Sequence, residues 1–493
     1  MRSKGNCELQ INSKRLFGFF SRYPASLPLC IPASAVIALL LLLTGCLMGP
    51  NYKKPVEDLP AAADNQNEIA PFIKHNWWEM FQDPVLNSLV QETLAGNKDI
   101  QIALARVEEA QAQFKITRAD SMPSLNMGFQ GTYGTASNDG VIIEQPVQLY
   151  TTAPVISYEL DIWGKQRRLN QSAKARYFST KAAKDLTELI VTANVVNAYF
   201  LLLTLDAQLE IVKDTLESYG QIVKVYRDRY KAGYIEELDL RRVEADMQSV
   251  EVSKIDLERQ ISQAQSALAV LAGKTPREIV EQQMQRGKKL EEVYLIPNIP
   301  EGIPSKVLEK RADVLQAEEQ LISANAQIGA ARASYFPQIS LTGEAGYVSN
   351  SLTNLMDAGI WSLAGNLVQP LFEGGKIKAM NKQAEAAYKE ALAVYEQTVE
   401  NAFKDVYDSL NANKMYREIY VAADLQAKAM NRSYKIAADQ FKAGLIDTIN
   451  LLDVKNSYLQ AQTALVSARY NQLTAVVNLS KALGGGWNEK DVK

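Results

Sequence analysis

The sequence has few of the residues that catalysis and metal binding usually need. Among its 493 residues there is one histidine, His75, and there are three cysteines, all within the first 46 positions. Beyond Cys46 the chain can therefore form neither a disulfide framework nor a cysteine-based metal cage. One histidine excludes multi-histidine metal sites, and the sequence contains no glycine-rich phosphate loop and no nucleophile elbow. We interpret the chain as a non-enzyme that needs no metal and no bound cofactor.

The chain also lacks an excess of charge of either sign. Lysine and arginine together number 53, against 56 for aspartate and glutamate. Proteins that bind nucleic acid usually carry a clustered excess of basic residues. The charge balance therefore argues against nucleic acid as a partner.

The first 45 residues have the pattern of an export signal. Basic residues precede the apolar run Ala35–Leu43, which is too short for a bilayer span of ~20 residues. The sequence Leu43-Thr44-Gly45-Cys46 follows, and it resembles the bacterial lipoprotein box. We expect cleavage before Cys46, with an acyl lipid such as palmitate on its thiol and a lipidated segment at 46–85. The alternative is an ordinary signal peptide followed by a chance cysteine.

The remainder of the chain is a tandem duplication. YKAGYIEELDLRRVE begins at Tyr230, and its near-copy FKAGLIDTINLLDVK begins at Phe441, 211 positions later. Around the strand-like segments the offset is 214, as between Ala119 and Ala333. The pattern predicts a first repeat at 86–273, a linker at 274–305, a second repeat at 306–483 and a tail at 484–493.

Each repeat contains two strand-like runs in which apolar and polar residues alternate. The runs lie at about 124–134 and 154–163 in the first repeat, and at about 338–348 and 361–372 in the second. Their length suits tilted strands that cross a membrane, which need ~9–11 residues. Four strands are too few to close a barrel, and open edges are not tolerated in lipid, so several chains would have to combine their strands. The alternative is a small soluble sheet packed on helices.

The rest of each repeat has the composition of long helices. In the first repeat, apolar residues recur at alternating steps of three and four, which is the heptad pattern of a coiled coil. The helices should turn back at 230–240 and 441–451, where Gly233 and Gly444 are placed to adopt the left-handed conformation that ends a helix. The heptad positions are Leu202, Leu205, Leu209, Val212, Leu216, Tyr219, Val223, Tyr226 and Tyr230.

Several longer motifs resemble the TolC-like outer-membrane efflux factors, in particular the lipoproteins of the OprM and NodT type. The motifs are Asn76-Trp77-Trp78, Phe81-Gln82-Asp83-Pro84-Val85-Leu86-Asn87, AEEQLISANAQIGAARASYFPQISLTG from Ala317, and Ala482-Leu483-Gly484-Gly485-Gly486-Trp487. The resemblance covers nearly the whole chain after the signal peptide.

This resemblance implies an α-helical coiled-coil barrel joined to a transmembrane β-barrel. The family forms homotrimers in which a 12-stranded barrel in the outer membrane continues into a helical tunnel through the periplasm. Its members are passive exit ducts for drugs and other toxic small molecules. They work with a periplasmic adaptor and an inner-membrane pump of the resistance–nodulation–division (RND) class. Two alternatives are an exit duct for type I secretion and a periplasmic coiled-coil scaffold lipoprotein.

The resemblance also suggests roles for residues in the two turns. Ile449 and Asp453 match the family's periplasmic gate, and Asp239 matches an aspartate involved in contacts between tips. Arg242 occupies the place in the first repeat that is equivalent to Asp453, and we hypothesise that it binds a carboxylate in the closed state. Alternatively, Asp453 is only a solvated helix residue. The residues expected to contact the adaptor are Tyr230, Lys231, Gly233, Phe441, Lys442 and Gly444.

Overall fold

The computed structural model describes residues 47–55, 72, 74–134, 137–138, 141–142, 147–281, 284–295, 309–356 and 358–485. All of them belong to one compact unit, Leu47–Lys493. The predicted signal peptide and Cys46 lie outside the described residues, as do the end of the linker at 296–305 and most of the tail at 486–493.

The described elements alternate between helices and short groups of strands. In the first half they are α1 (Pro84–Gly96), α2 (Lys98–Ala119), β1 (Ser124–Gly134), β2 (Ser137–Asn138), β3 (Val141–Ile142), β4 (Val147–Leu160), α3 (Lys165–Lys231) and α4 (Glu237–Leu271). After α5 (Pro276–Glu281) in the linker, the second half contains α6 (Ala312–Ala333), β5 (Gln338–Ser349), β6 (Ala358–Val368), α7 (Lys376–Lys442) and α8 (Thr448–Ala482).

The helices of the two halves agree in length, as expected for a duplicated unit. Helices α2 and α6 each have 22 residues, α3 and α7 each have 67, and α4 and α8 each have 35. A helix of 67 residues is about 100 Å long at ~1.5 Å per residue. Each half therefore contains a long helical hairpin. The strands of that half come directly before its first long helix in the sequence.

Both hairpins turn in the same way. Gly233 and Gly444 adopt positive φ angles of 76° and 74°, as predicted. In the first turn the Tyr234 amide donates to the Arg229 carbonyl (2.9 Å), and the Gly233 amide donates to the Tyr230 carbonyl (3.0 Å). The second turn repeats this pair of hydrogen bonds, which together form a Schellman motif.

The four long strands form one antiparallel sheet in the order β1-β4-β5-β6. The second strand of each pair differs from its predicted bounds. Strand β4 occupies Val147–Leu160 rather than 154–163, because pairing with β1 extends it back to Val147 and the chain turns at Asp161 to begin α3. Strand β6 occupies Ala358–Val368 rather than 361–372, since Pro370 has no amide for a ladder hydrogen bond.

In the largest core cluster, the N-terminal motif packs against the middle of α3 and α7 and the C-terminal ends of α4 and α8. Trp77, Trp78 and Phe81 are buried there together with parts of α3, α7 and α8. The Asp83 carboxylate is fully buried and caps α1 by accepting from the Val85 amide (2.9 Å). It also accepts from the Tyr199 hydroxyl (2.8 Å), and burial together with this bond raises the pKa of Tyr199. The Asp-Pro pair of the motif therefore starts α1: Asp83 caps the helix, and Pro84 occupies its first position.

Among the residues that the structure describes, one helix is long and apolar enough to cross a membrane by length and composition alone. It is α3, and 56% of its apolar window is buried inside the protein. The same region contains Val195, Tyr199 and Phe200 of the core cluster. We therefore interpret the apolar part of α3 as a core segment.

Candidate functional site

The four-stranded sheet has one apolar face and one mainly polar face. The register places Leu125 of β1 opposite Ile156, Ile156 opposite Gly343, and Gly343 opposite Leu363. Directly opposed residues share a face, so this row crosses all four strands with apolar side chains on β1, β4 and β6 and a glycine on β5. Further members of this exposed apolar face are Met127, Phe129, Tyr133, Leu341, Tyr347, Trp361 and Leu367.

The opposite face carries hydroxyl, amide and carboxylate groups. The Ser362 hydroxyl donates to the Glu344 carboxylate (3.0 Å), and the hydroxyls of Ser124 and Ser157 share a hydrogen bond (2.8 Å). Strands β1 and β6 form the two ends of the sheet and pair with no further strand in the described part of the chain. The sheet therefore has one face suited to contact with lipid and one face suited to contact with water.

Four helices next to the sheet enclose an open groove of about 1030 Å³. Its lining contains three basic residues and two acidic residues, and most of its other members are small or uncharged polar residues. The residues come from α2, α3, α6 and α7: Arg106, Glu109, Gln113, Thr117, Asp120, Lys165, Ser172, Arg176, Thr180, Gln327, Ser334 and Gln383. The groove side of these helices is therefore a largely polar surface that is compatible with water.

The two hairpin tips lie close to each other. The Arg229 guanidinium stands over the Phe441 ring at 6.0 Å. Tyr230, Lys231 and Gly233 are exposed at the first tip, and Lys442 and Gly444 are exposed at the second. Phe441 is half-buried. These positions are accessible to a partner.

The gate candidates are exposed on the helices that follow the tips. Ile449 and Asp453 are four residues apart on α8, so they share one face of that helix. Asp239 and Arg242 similarly share a face of α4. Arg242 makes no ion pair within the described part of the chain, and its neighbour Arg241 pairs with Glu237 (3.1 Å) and Glu244 (3.0 Å) instead. The structure therefore does not join Arg242 to Asp453 within one chain.

Sequence reasoning missed a buried cluster two residues beyond Asp453. Lys455 is buried, and its ammonium group lies over the Tyr434 ring at 4.9 Å and donates to the Tyr434 hydroxyl (3.4 Å). Tyr434 stacks on Tyr458 with ring centroids 5.6 Å apart. Burial lowers the pKa of Lys455, although the charge of Asp214 opposes this shift.

The same region joins the two hairpins. Leu452 of α8 packs into an apolar cluster of the first hairpin with Tyr219, Val223 and Leu240. The Tyr219 hydroxyl donates to the Asn456 side-chain oxygen (3.1 Å). Leu451, Leu452 and Lys455 are spaced so that they lie on one face of α8, and this face is buried. The sequence pattern did not reveal it, because a lysine normally indicates an exposed position.

No group of histidine, cysteine, aspartate and glutamate residues with metal-binding geometry occurs among the described residues.

The comparisons with known proteins agree with this architecture. The family model described as outer membrane efflux protein matches residues 89–274 and 303–485. The chain is 31% identical over 463 residues to the probable efflux pump outer membrane protein TtgC of Pseudomonas putida, covering 91% of this chain and 94% of that protein. It is 30% identical over 462 residues to the probable outer membrane lipoprotein SilC of Salmonella typhimurium, covering 92% and 98%.

Solved structures share the fold over most of the chain. The Campylobacter jejuni CmeC outer membrane channel superposes with a TM-score of 0.83 at 25% identity, covering 90% of this chain and 96% of that chain. The open state of the Neisseria gonorrhoeae MtrE outer membrane channel superposes with a TM-score of 0.79 at 28% identity, covering 90% and 98%. The chain therefore belongs to the outer membrane efflux protein family, as an outer-membrane channel component of efflux and a transport conduit rather than an enzyme.

Proposed function

We propose that three copies of the chain join their sheets into one closed transmembrane barrel of about 12 strands. The observation that carries this proposal is the two-faced sheet with unpaired edges at β1 and β6. Unpaired backbone groups cost several kcal/mol each in hydrocarbon, so these edges need partners from other chains. The apolar row through Leu125, Ile156 and Leu363 would then face lipid, and the Glu344 side would face water.

In the same three-fold assembly, the grooves of the three copies would together enclose one tunnel. Its lining of small and polar residues suits a water-filled passage, and its three basic and two acidic residues leave it without a strong charge of either sign. We infer a passive periplasmic tunnel for small organic molecules, including drugs and toxic compounds. The lining of the groove itself therefore gives no preference for ions of either sign.

The proposed duct receives its cargo from a periplasmic adaptor and an inner-membrane pump of the RND class. The exposed tips at Tyr230–Gly233 and Phe441–Gly444 are the proposed adaptor contacts. In a trimer, Ile449 and Asp453 would form rings at the periplasmic end, and Arg242 would face a carboxylate of a neighbouring subunit. An acyl lipid on Cys46 would anchor each copy to the outer membrane.

A matched pair of variants in β1 tests which face of the sheet contacts lipid. Met127→Arg places a charge on the apolar face, which costs about 2–4 kcal/mol near the bilayer midplane. Gln130→Arg places the same charge on the polar face. We expect the first variant to lose outer-membrane insertion and the second to keep it, as measured by fractionation and heat-modifiable mobility. Equal insertion of both variants would contradict the barrel.

Electron microscopy of the detergent-extracted wild-type protein tests the number of copies. We expect a hollow particle with three-fold symmetry that is longer than a bilayer is thick. Restoration of drug resistance in a strain that lacks its own channel tests the transport role, with Met127→Arg as the inactive control. A monomeric particle would contradict the proposal.

A further inference from the structure

The first described residues form an extended segment, here called the strap, at residues 47–54. The strap crosses α3 and α6 on the face opposite the groove. Helix α3 shows this separation directly, since Leu169, Ser172 and Arg176 line the groove, whereas Arg168, Gln171 and Lys174 line a smaller pocket with Asn51 and Tyr52 of the strap.

One buried arginine binds the strap at three points. The Arg168 guanidinium donates to the carbonyls of Met48 (2.9 Å) and Gly49 (3.1 Å) and to the side-chain oxygen of Asn51 (3.1 Å). Arg168 is only 3% exposed. A planar guanidinium can hold several acceptors at fixed angles, which a lysine cannot do. The strap is therefore fixed in register along α3 as well as attached to it.

A glycine notch brings the strap into backbone contact with α6. A Cβ atom on Gly329 would lie 2.6 Å from the Met48 carbonyl oxygen, and one on Gly49 would lie 2.5 Å from the Gly329 Cα. Gly49 also has a φ of 84°. Asn325, one turn earlier on α6, donates to the Pro50 carbonyl (3.1 Å). Glycine inside a helix costs ~1 kcal/mol relative to alanine, and the close approach explains its presence.

The start of the strap lies where the strands become helices. The Met48 amide donates to the Trp163 carbonyl (3.2 Å), and a Cβ atom on Gly164 would lie 2.6 Å from the Leu47 side chain. Trp163 in turn donates from its indole nitrogen to the Pro337 carbonyl (2.8 Å) and stacks on Phe336. This contact joins the β4–α3 and α6–β5 connections, so Leu47 is held at the base of the sheet.

Each of these strap-binding residues is absent from the equivalent position of the other repeat. At the repeat offsets, Arg168 corresponds to Ala379, Gly329 to Lys115, and Asn325 to Gln111. Arg168 lies in the first repeat and Asn325 and Gly329 lie in the second, and each is replaced at the equivalent position of the other repeat. Packing within a repeat does not require them, because α7, the equivalent of α3, and α2, the equivalent of α6, have the same lengths without them.

We propose that Arg168 and the Gly49–Gly329 notch form a positioning site for the lipidated N-terminus. The site holds Leu47 at the base of the sheet, and Cys46 is one peptide bond away, ~3.8 Å between Cα atoms. An acyl chain on Cys46 then enters the bilayer beside the strands of its own subunit. This inference rests on the proposed lipidation and outer-membrane placement. Arg168 and Gly329 act as positioning residues for assembly, separate from the gate.

Hydrogen exchange of residues 47–52 in purified protein tests the attachment. Arg168→Ala removes the hydrogen bonds to the strap, and Gly329→Ala places a Cβ atom against the Met48 carbonyl oxygen. Each variant should therefore raise the exchange rate of this segment by roughly tenfold. Gly220→Ala is the matched control, since a Cβ at Gly220 meets open space within α3 and should leave the strap unchanged. Unchanged exchange in both strap variants would overturn the proposal.

The role in assembly is tested by combining Arg168→Ala with Cys46→Ser, the latter exported through a signal peptide that is not a lipoprotein signal. We expect Arg168→Ala to slow formation of the heat-resistant oligomer about fivefold in lipidated protein and to have no added effect in the Cys46→Ser background. Equal slowing in both backgrounds, or none in either, would overturn the proposal. Failure of the wild-type chain to reach the outer membrane would overturn the proposed function, while the exchange measurement in detergent would still report separately on the strap.

Discussion

The two hairpins have helices of equal length but differ in which faces they bury. In the first hairpin, Arg241 is exposed on α4 and Glu244 forms an ion pair with Arg227 of α3 (3.0 Å). The equivalent positions of the second hairpin, 211 residues later, are Leu452 and Lys455, and both are buried. Helix α8 packs against α3 of the first hairpin through Leu452, whereas the corresponding face of α4 has no such neighbour among the described residues.

This difference shows how a duplicated unit acquires two roles. The pattern that ends and reverses the helices is shared by both hairpins, with glycine at 233 and 444. The side chains diverge at the surfaces where the two hairpins meet different neighbours. The first hairpin keeps charges that are compatible with solvent, and the second has a face that must be buried against the first.

The largest expected effect is the separation of the hairpins. Leu452→Ala removes the side chain that joins them, and a buried leucine truncation costs about 2–5 kcal/mol. We expect faster hydrogen exchange in both tips, which is measured by mass spectrometry. Leu445→Ala is the control, because Leu445 is 74% exposed and should matter little. Similar exchange in the two variants would show that the hairpins do not depend on Leu452.

A smaller effect is expected from the charges at the equivalent positions 242 and 453. Arg242→Ala should raise the resting conductance about fivefold, since the proposed bond to a neighbouring carboxylate is lost. Asp453→Asn should reduce the preference of the channel for cations. Both are measured in planar bilayers, with Arg241→Ala as the control because its partners Glu237 and Glu244 lie on its own helix. An unchanged resting conductance in Arg242→Ala would contradict the hypothesis.

Lys455 should make the second hairpin more stable as the pH rises. Burial lowers its pKa in the folded state below 10.5, so the folded state binds fewer protons than the unfolded state between the two pKa values. Stability should therefore increase through that interval and stay at its lower value beneath it. Lys455→Met should abolish the increase in calorimetric scans between pH 7 and pH 10. The exposed Lys442→Met is the control, and persistence of the increase in Lys455→Met would contradict the assignment.

The smallest effect is expected at the ion pair of the first hairpin. Glu244→Gln removes the carboxylate that pairs with both Arg227 and Arg241. Exposed ion pairs of this kind contribute about 0.2–1 kcal/mol to the free energy of unfolding. The loss should shrink further at high salt, where the charges are screened. Thermal unfolding at two salt concentrations measures it. A loss as large as that of Leu452→Ala would mean that the first hairpin depends on charge more than its exposure indicates.

The sequence by itself determined the features that depend on neighbouring residues. The duplication is visible as a near-copy at a fixed offset, and the first strand of each pair and the glycine turns follow from short-range periodicity and from the conformations that glycine allows. The family motifs added the expectation of an efflux channel, which the family match confirms. Alternation along β1 was sufficient to locate it at Ser124–Gly134.

Only the tertiary structure decided the features that depend on distant residues. The ends of β4 were set by pairing with β1, the burial of Lys455 by packing on Tyr434, and the seat of the strap by Arg168 and Gly329, which are 120 and 281 positions beyond Met48. A lysine, an arginine and a glycine each fit a solvated surface equally well by local pattern. Their burial depends on which long helices meet, and that is a property of the folded chain.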